Sequence, residues 1–383
     1  MIEKALRGSR TYWSWITVLL VVTVTGFFCY LRQWESGLGI TGLSRDVSWG
    51  LYIANFTFFV GVAASAVMVV LPYYLHNTKA FGKITVLGEF LAVGAVIMSV
   101  LFIFVDLGQP ARVLNVLLYP TPSSLLFWDM IVLNGYLLLN LLIGWSSLDA
   151  EHKGEPTLGW VKPLIYVSIP WAISIHTVTA FIYSGLGARP FWLTALLAPR
   201  FLSSAFASGP ALLIIVALIL KRYTRFDAGK EAIQKVAQIA AYALSITIFF
   251  FLVELFTVFY SGIPEHREHF EYLLFGISGQ ASLVPWIWSS IILAVLAFVL
   301  LVNPSTRKNE SILFVACLAT FVSIWIDKGL GLIVPGFVPS PLGEITTYIP
   351  TAPEILIAAG IWGLGFLIIS VLYKVTVEVR AKR

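Results

Sequence analysis

The chain reads as an all-α integral membrane protein, with ten transmembrane helices in one membrane domain over 1–383. Two four-helix bundles are expected, with one extra helix at each end. Three observations predict this class. Hydrophobic residues fill 58% of the 383 positions and charged residues only 12%, which is more apolar surface than a water-soluble core hides. Ten runs approach or exceed the roughly 20 apolar residues that cross a bilayer. Those runs are apolar all round rather than alternating, which favours helices over barrel strands.

The first run, 12–31, follows Lys4, Arg7 and Arg10 and carries no charge. It is too long for the apolar region of a signal peptide, and no small-residue cleavage site follows, so it is expected to remain as an anchor. The second, 49–75, opens on 49–55 (WGLYIAN) and continues through the small-residue stretch 59–66 (FVGVAASA). The third, 84–105, holds Glu89, which reads either as the start of a proton path or as a group snorkelling to the nearby surface. The fourth, 124–146, holds Asp129, and the fifth, 160–184, holds His176 and Tyr183. The sixth, 201–223, contains 206–213 (FASGPALL), a counterpart of the small-residue stretch in the second and suited to close helix approach. The seventh, 236–260, has Glu254, and the eighth, 283–302, is uncharged. The ninth, 311–333, has Asp327 and Lys328, and the tenth, 353–374, begins beside Glu354. The spans then group as a first bundle over 49–184 and a second over 201–333, flanked by 12–31 and 353–374.

Of the 25 Lys and Arg residues, 18 fall on the side that receives both chain ends, including Lys382 and Arg383. The other 7 are Arg32, Arg45, Arg112, Arg189, Arg200, Arg267 and Lys328. The positive-inside rule therefore puts both termini in the cytoplasm of a multi-pass protein of the cytoplasmic (inner) membrane, in contact with the lipid bilayer. The net charge of +5 follows from this bias and needs no nucleic-acid partner. Loops on the outer side, 106–123, 185–200, 261–282 and 328–352, are long, aromatic and poor in charge. They read as interfacial packing, as a docking surface for another subunit, or as both. The only cysteines, Cys29 and Cys317, fall short of the roughly four thiolates an iron–sulfur cluster needs, so any cluster belongs to a partner. Nothing supports a disulfide between them.

An ionisable group at bilayer depth costs at least about 2.5 kcal/mol and marks a functional site by default. Asp129, His176, Glu254 and Asp327 come from four spans, yet at about 1.5 Å per residue all lie about 8–12 Å below the outer boundary. Asp106, Arg112, Arg189, Arg200, Lys328 and Glu354 crowd the same rim. Each residue alone has a structural reading, such as a hydrogen bond to a neighbouring helix or an Asp327–Lys328 ion pair. The shared depth favours one polar pocket for a proton-active ligand. His176 exchanges protons near neutral pH, Tyr183 offers a phenol and Asn55 an amide. A quinone head group needs such donors at its carbonyl oxygens and an apolar slot for its tail. Haem is disfavoured, because His76, His152, His266 and His269 read as loop residues and leave His176 without a second axial histidine. Metal binding by His176 and the carboxylates lacks ligand spacing on any one helix. Span three offers little beyond Ser99 to connect Glu89 with the outer cluster, which argues against proton pumping.

The stretch 176–210, HTVTAFIYSGLGARPFWLTALLAPRFLSSAFASGP, resembles the NrfD/PsrC family of quinone-interacting membrane subunits. In length and motif the chain is most similar to the DsrP branch, from the DsrMKJOP complex of sulfur-metabolising microbes, with the Hme and Hmc membrane subunits as close alternatives. The resemblance covers essentially the whole chain. It implies a protein without haem or iron–sulfur cluster of its own and a menaquinone site near the outer face. It also implies a ferredoxin-like iron–sulfur subunit on that face, further haem or iron–sulfur subunits in the same complex, and a link to sulfate or sulfite metabolism. Asn55, His176, Tyr183 and Arg189 are then the candidate menaquinone-binding residues, and Asp129, Glu254 and Asp327, with His176, the candidates for proton transfer. Such a subunit is inactive alone. Two other readings remain. Ten spans with possible duplicated halves suit a secondary transporter, with Pro72, Pro170, Pro210 and Pro285 as kinks. The chain also suits a non-catalytic membrane anchor for soluble redox partners.

Overall fold

The computed structural model describes residues 2–74 and 78–380. His76, Lys382, Arg383 and position 75 of the second span lie outside the described residues. Among the described residues, ten helices are long and apolar enough to cross a membrane. They are α1 (Arg10–Ser36), α2 (Leu51–Tyr74), α3 (Gly82–Asp106), α4 (Leu125–Lys153), α5 (Val161–Ser184), α6 (Leu197–Tyr223), α7 (Lys230–Ser261), α8 (Val284–Val302), α9 (Glu310–Lys328) and α10 (Ala352–Arg380). The chain is thus an all-α, multi-pass integral membrane protein, and no strand forms among the described residues.

Helices α2 to α5 pack in sequence and α5 returns to α2, while α6 to α9 close a second ring through α9 on α6. The rings meet along α2–α6 and α5–α6, and α10 lies on α3 and carries α1. Helices α2, α3 and α6 are the most enclosed, and α2 and α3 are accordingly apolar on nearly every side. The two small-residue stretches meet each other. A Cβ on Gly209 of α6 would stand 2.8 Å from the Ser65 nitrogen and 3.0 Å from the Val62 oxygen of α2. This backbone-on-backbone contact lies where α2 breaks between Ala63 and Ser65. Small residues permit the approach, because in lipid close van der Waals packing is what holds helices together. Gly26 of α1 and Gly360 of α10 make the same kind of contact, each Cβ position falling within 2.7 Å of the other Cα.

Several boundaries differ from the sequence expectation. Helix α6 begins at Leu197, four residues early, because Pro199 sits in its first turn, where a missing N–H is harmless. The ninth apolar run breaks at Gly329 (φ −89°, ψ −111°), so α9 stops at Lys328 and a separate short turn, Leu330–Ile333, follows. The expected outer loop 261–282 contains the helix Pro264–Leu274, which carries His266 and His269, and His152 lies in the last turn of α4. These three are therefore helical. The long loops 107–124, 185–196, 262–283 and 329–351 share one end of the molecule, the loop-rich end. The opposite end is the termini end. Cys29 and Cys317 are both free.

Candidate functional site

His176, Thr179 and Tyr183 stand at i, i+3 and i+7 on α5, so they share one helix face. All three are wholly buried. Thr179 reaches across to α4, where its hydroxyl lies 2.7 Å from Asp129 Oδ1 and 2.7 Å from the Ile175 carbonyl. Tyr183 reaches α2 and hydrogen-bonds the Thr57 hydroxyl. Thr57 donates its own hydrogen to the Ile53 carbonyl at 2.8 Å, so the Tyr183 phenol is the donor to Thr57. His176 stands one turn further from the loop-rich end on the same face of α5. Neither of its ring nitrogens has a hydrogen-bond partner among the described residues, although buried polar atoms in folded proteins almost always have one.

Across α6 lies a set of buried charges. The Arg200 guanidinium pairs with Glu254 through Nη1 and with Asp327 through Nη2, the latter at 2.7 Å, while its plane lies 5.3 Å from the Phe251 ring centroid. Lys328, only 3% exposed, turns inward between α2 and α6. Its Nζ lies 3.3 Å from the Phe201 carbonyl and 4.3 Å over the Phe201 ring. Gly61 makes room for it, since a Cβ there would stand 3.0 Å from Nζ. The same point lies 3.7 Å from the Ser208 hydroxyl, which has no partner among the described residues. Arg200 alone is shared by the Glu254 and Asp327 carboxylates, and Lys328 follows Asp327 directly in the chain.

Aromatic side chains close this region at the loop-rich end. Trp49 packs against Tyr183, Trp192 and Phe337, with centroids 5.7–5.9 Å apart. The Trp192 indole donates to the Leu332 carbonyl at 2.9 Å, tying loop 185–196 to loop 329–351. Arg189 lies with its guanidinium carbon 4.5 Å from the Phe337 centroid, and its Nη1 is buried without a partner among the described residues. Burial pushes the Arg189 pKa below the ordinary arginine value, opposed by Asp46.

The residues singled out from sequence thus fall into separate neighbourhoods. Asp129, His176 and Tyr183 converge where α2, α4 and α5 meet. Glu254 and Asp327 belong to the Arg200 cluster on α6, α7 and α9, with Lys328 between the two groups. Arg200 and Lys328 are buried rather than at the rim, because Arg200 lies inside the early-starting α6 and Lys328 is covered by α2 and α6. Asn55 is engaged elsewhere: its Oδ1 accepts from the Trp325 and Trp362 indoles at 3.0 and 2.9 Å, and its Nδ2 donates to the Leu51 carbonyl at 2.8 Å. It ties α2 to α9 and α10. Thr57, Thr179 and Gly61 were not among the residues expected from sequence. The signal for Thr179 was its helical spacing from His176 and Tyr183, and that for Gly61 its place in FVGVAASA.

The pattern of the polysulphide reductase, NrfD family matches residues 39–338, most of the chain and every helix from α2 to α9. The chain belongs to the NrfD family. A candidate dimethyl sulfoxide reductase membrane subunit from Halobacterium salinarum is 27% identical over 398 residues, covering 93% of this chain and 89% of that one. The Hdr-like menaquinol oxidoreductase integral membrane subunit of Archaeoglobus fulgidus is 24% identical, covering 95% and 93%. The menaquinone reductase integral membrane subunit of Nitratidesulfovibrio vulgaris is 21% identical, covering 94% and 88%. The NrfD match lies within these full-length similarities and takes in both the Asp129–His176–Tyr183 group and the Arg200 cluster.

Proposed function

We propose that this NrfD-family chain is the menaquinone-reactive membrane subunit of a respiratory electron-transfer complex. It would exchange electrons with an iron–sulfur partner docked at the loop-rich end, in a complex linked to sulfur-compound metabolism. The Lys and Arg bias supports placing that end on the outer face of the cytoplasmic membrane, with both termini inside. The observation that carries the reading is His176, fully enclosed with both nitrogens unpartnered among the described residues, on the same α5 face as a phenol and a threonine-linked carboxyl. The names of the Archaeoglobus and Nitratidesulfovibrio relatives supply the ligand class.

Menaquinone, when bound, supplies the exchange of two electrons and two protons at its ring oxygens. The residues present fit it, because His176 has an N–H and a lone pair not committed among the described residues. In this reading His176 would hold one ring oxygen and carry its proton. Asp129, linked through Thr179, would store or release that proton, and Tyr183, which donates to Thr57, would orient the ring. Glu254 and Asp327 hold Arg200 and, with Lys328, set the field around His176. The aromatic closure by Trp49, Trp192 and Phe337 excludes water.

The test is to purify the intact complex and compare it with the His176→Ala variant. The expected preparation carries extractable menaquinone and iron–sulfur protein. The variant assembles normally but loses about 10²–10⁴-fold in quinone-linked turnover, the usual weight of a positioned acid–base group. Unchanged turnover in the variant removes His176 from the reaction.

A further inference from the structure

A cavity of about 540 Å³ opens at the termini end, between the end of α2 and the start of α5. Its described lining is Tyr73 and Tyr74 of α2, Lys79, and Lys162, Ile165 and Tyr166 of α5. That volume falls within the roughly 300–1,000 Å³ of small-molecule sites. The cavity lies at the opposite end of the spans from the aromatic closure over His176. Local structure brings its walls together. The Thr78 amide donates to the Pro72 carbonyl at 3.0 Å, which returns the chain and Lys79 to the last turn of α2. Tyr73 stands edge-to-face on Tyr74, with ring centroids 4.7 Å apart. Gly82, the first residue of α3, leaves room for the Tyr73 ring, which a Cβ there would approach to 3.2 Å.

Two ammonium groups and three phenols meet here, with no carboxylate in the described lining. Lys153, Lys221, Lys235 and Lys374 take carboxylate partners, whereas Lys79 and Lys162 have none among the described residues. The first turn of α5 adds to the positive character. No side chain caps it and no acidic residue lies in it, so its amide dipoles leave partial positive charge at that end. The floor, by contrast, is apolar. Ile165 is buried with Val70 of α2, Ile143 of α4 and Val161, and the Tyr74 ring packs on them. Beside the cavity Trp160 and Tyr166 are 50% and 52% exposed, as aromatic rings at headgroup level are.

We propose that this cavity binds the phosphate of an anionic phospholipid, held by Lys79 and Lys162, with the start of an acyl chain on the Ile165 floor. A phosphate is what two cations without a counter-ion, flanked by hydroxyl donors, recognise best. A lipid rather than a soluble phosphate follows from the level of the site. The cations stand over an apolar floor where two spans end, which is how basic pockets between membrane helices take acidic headgroups. The proposal shares no residue with the quinone reading and does not rest on it.

The test uses the intact complex in mild detergent, titrated with phosphatidylglycerol, with bound lipid counted by native mass spectrometry. The double variant Lys79→Ala/Lys162→Ala changes two exposed side chains and leaves the packed floor intact. It is expected to weaken one phosphatidylglycerol site about thirty-fold, or about five-fold for each lysine at an acidic headgroup. K79R/K162R keeps both charges and is expected to keep the site. Lys230→Ala/Lys308→Ala removes the same charge from exposed positions at the same end, outside the described lining, and is expected to match wild type. Equal weakening in K230A/K308A would reduce the effect to general surface charge and overturn the proposal. Undiminished binding in K79A/K162A, or phosphatidylcholine held as tightly as phosphatidylglycerol, overturns it as well. Excess inorganic phosphate is expected to leave the lipid in place. Full displacement by phosphate would make the site one for a soluble anion and overturn the lipid assignment.

Discussion

Arg200 is the residue whose loss the structure makes most consequential for stability. Its guanidinium is the shared partner of Glu254 and Asp327, and both Arg200 and Glu254 are more than nine-tenths buried. Arg200→Met keeps an unbranched, largely apolar stem but removes the guanidinium, with its contact on Phe251, and leaves two carboxylates without that partner. Breaking a buried pair by removing one member costs about 3–5 kcal/mol. The lower end applies here, because the Asp327 side chain is 18% exposed to surroundings and Lys328 remains beside it. The expected loss is therefore about 3 kcal/mol, or about a hundred-fold in the unfolding equilibrium. Titration of the purified protein from mild detergent into denaturing detergent, followed by tryptophan fluorescence, reads it. The triple variant R200M/E254L/D327L removes every charge of the cluster and is expected to recover most of the loss, since a buried ion network replaced by apolar groups is often neutral. R200M within about 0.5 kcal/mol of wild type, or a triple variant worse than R200M, refutes the reasoning.

Two further outcomes follow from packing and protonation. Gly209→Ala puts a methyl 2.8 Å from the Ser65 backbone and is expected to destabilise the protein by about 1–3 kcal/mol. Gly187→Ala, with nothing within 4 Å of its Cβ position, serves as the neutral control in the same titration. His269 donates its Nδ1 hydrogen to the Pro335 and Val338 carbonyls at 2.7 and 3.0 Å, and burial pushes its pKa below 6.5. Its folded form thus binds fewer protons than its unfolded form. Its contribution is complete above about pH 6.5 and is lost as pH falls through the folded pKa. Wild type is expected to lose stability as pH falls from about 7.5 to about 5.5, and His269→Gln to flatten that slope; equal slopes contradict it.

Much of the fold was legible because a membrane span is set by length and apolarity, both local properties. The ten runs carried over directly into helices, and the two small-residue stretches, read as suited to close approach, turn out to pack on each other between α2 and α6. The boundaries at Leu197 and Gly329 were not, since Ala-Pro-Arg reads as a loop unless the proline is known to sit in a first turn. The site was legible in residue type but not in grouping. Equal depth gave no information on helix rotation, and helices apolar on every side carry no moment to reveal it, so Glu254 and Asp327 were grouped with Asp129 although they face Arg200.

The central question is whether menaquinone binds among α2, α4 and α5. A menaquinone analogue with a photoreactive ring, cross-linked to the intact complex and located by peptide mapping, tests this directly. Label is expected on segments containing Asp129 and His176–Tyr183, displaced by excess menaquinone and reduced in His176→Ala. Label confined to α7 and α8, or undiminished by that substitution, would overturn the assignment of the quinone to these helices.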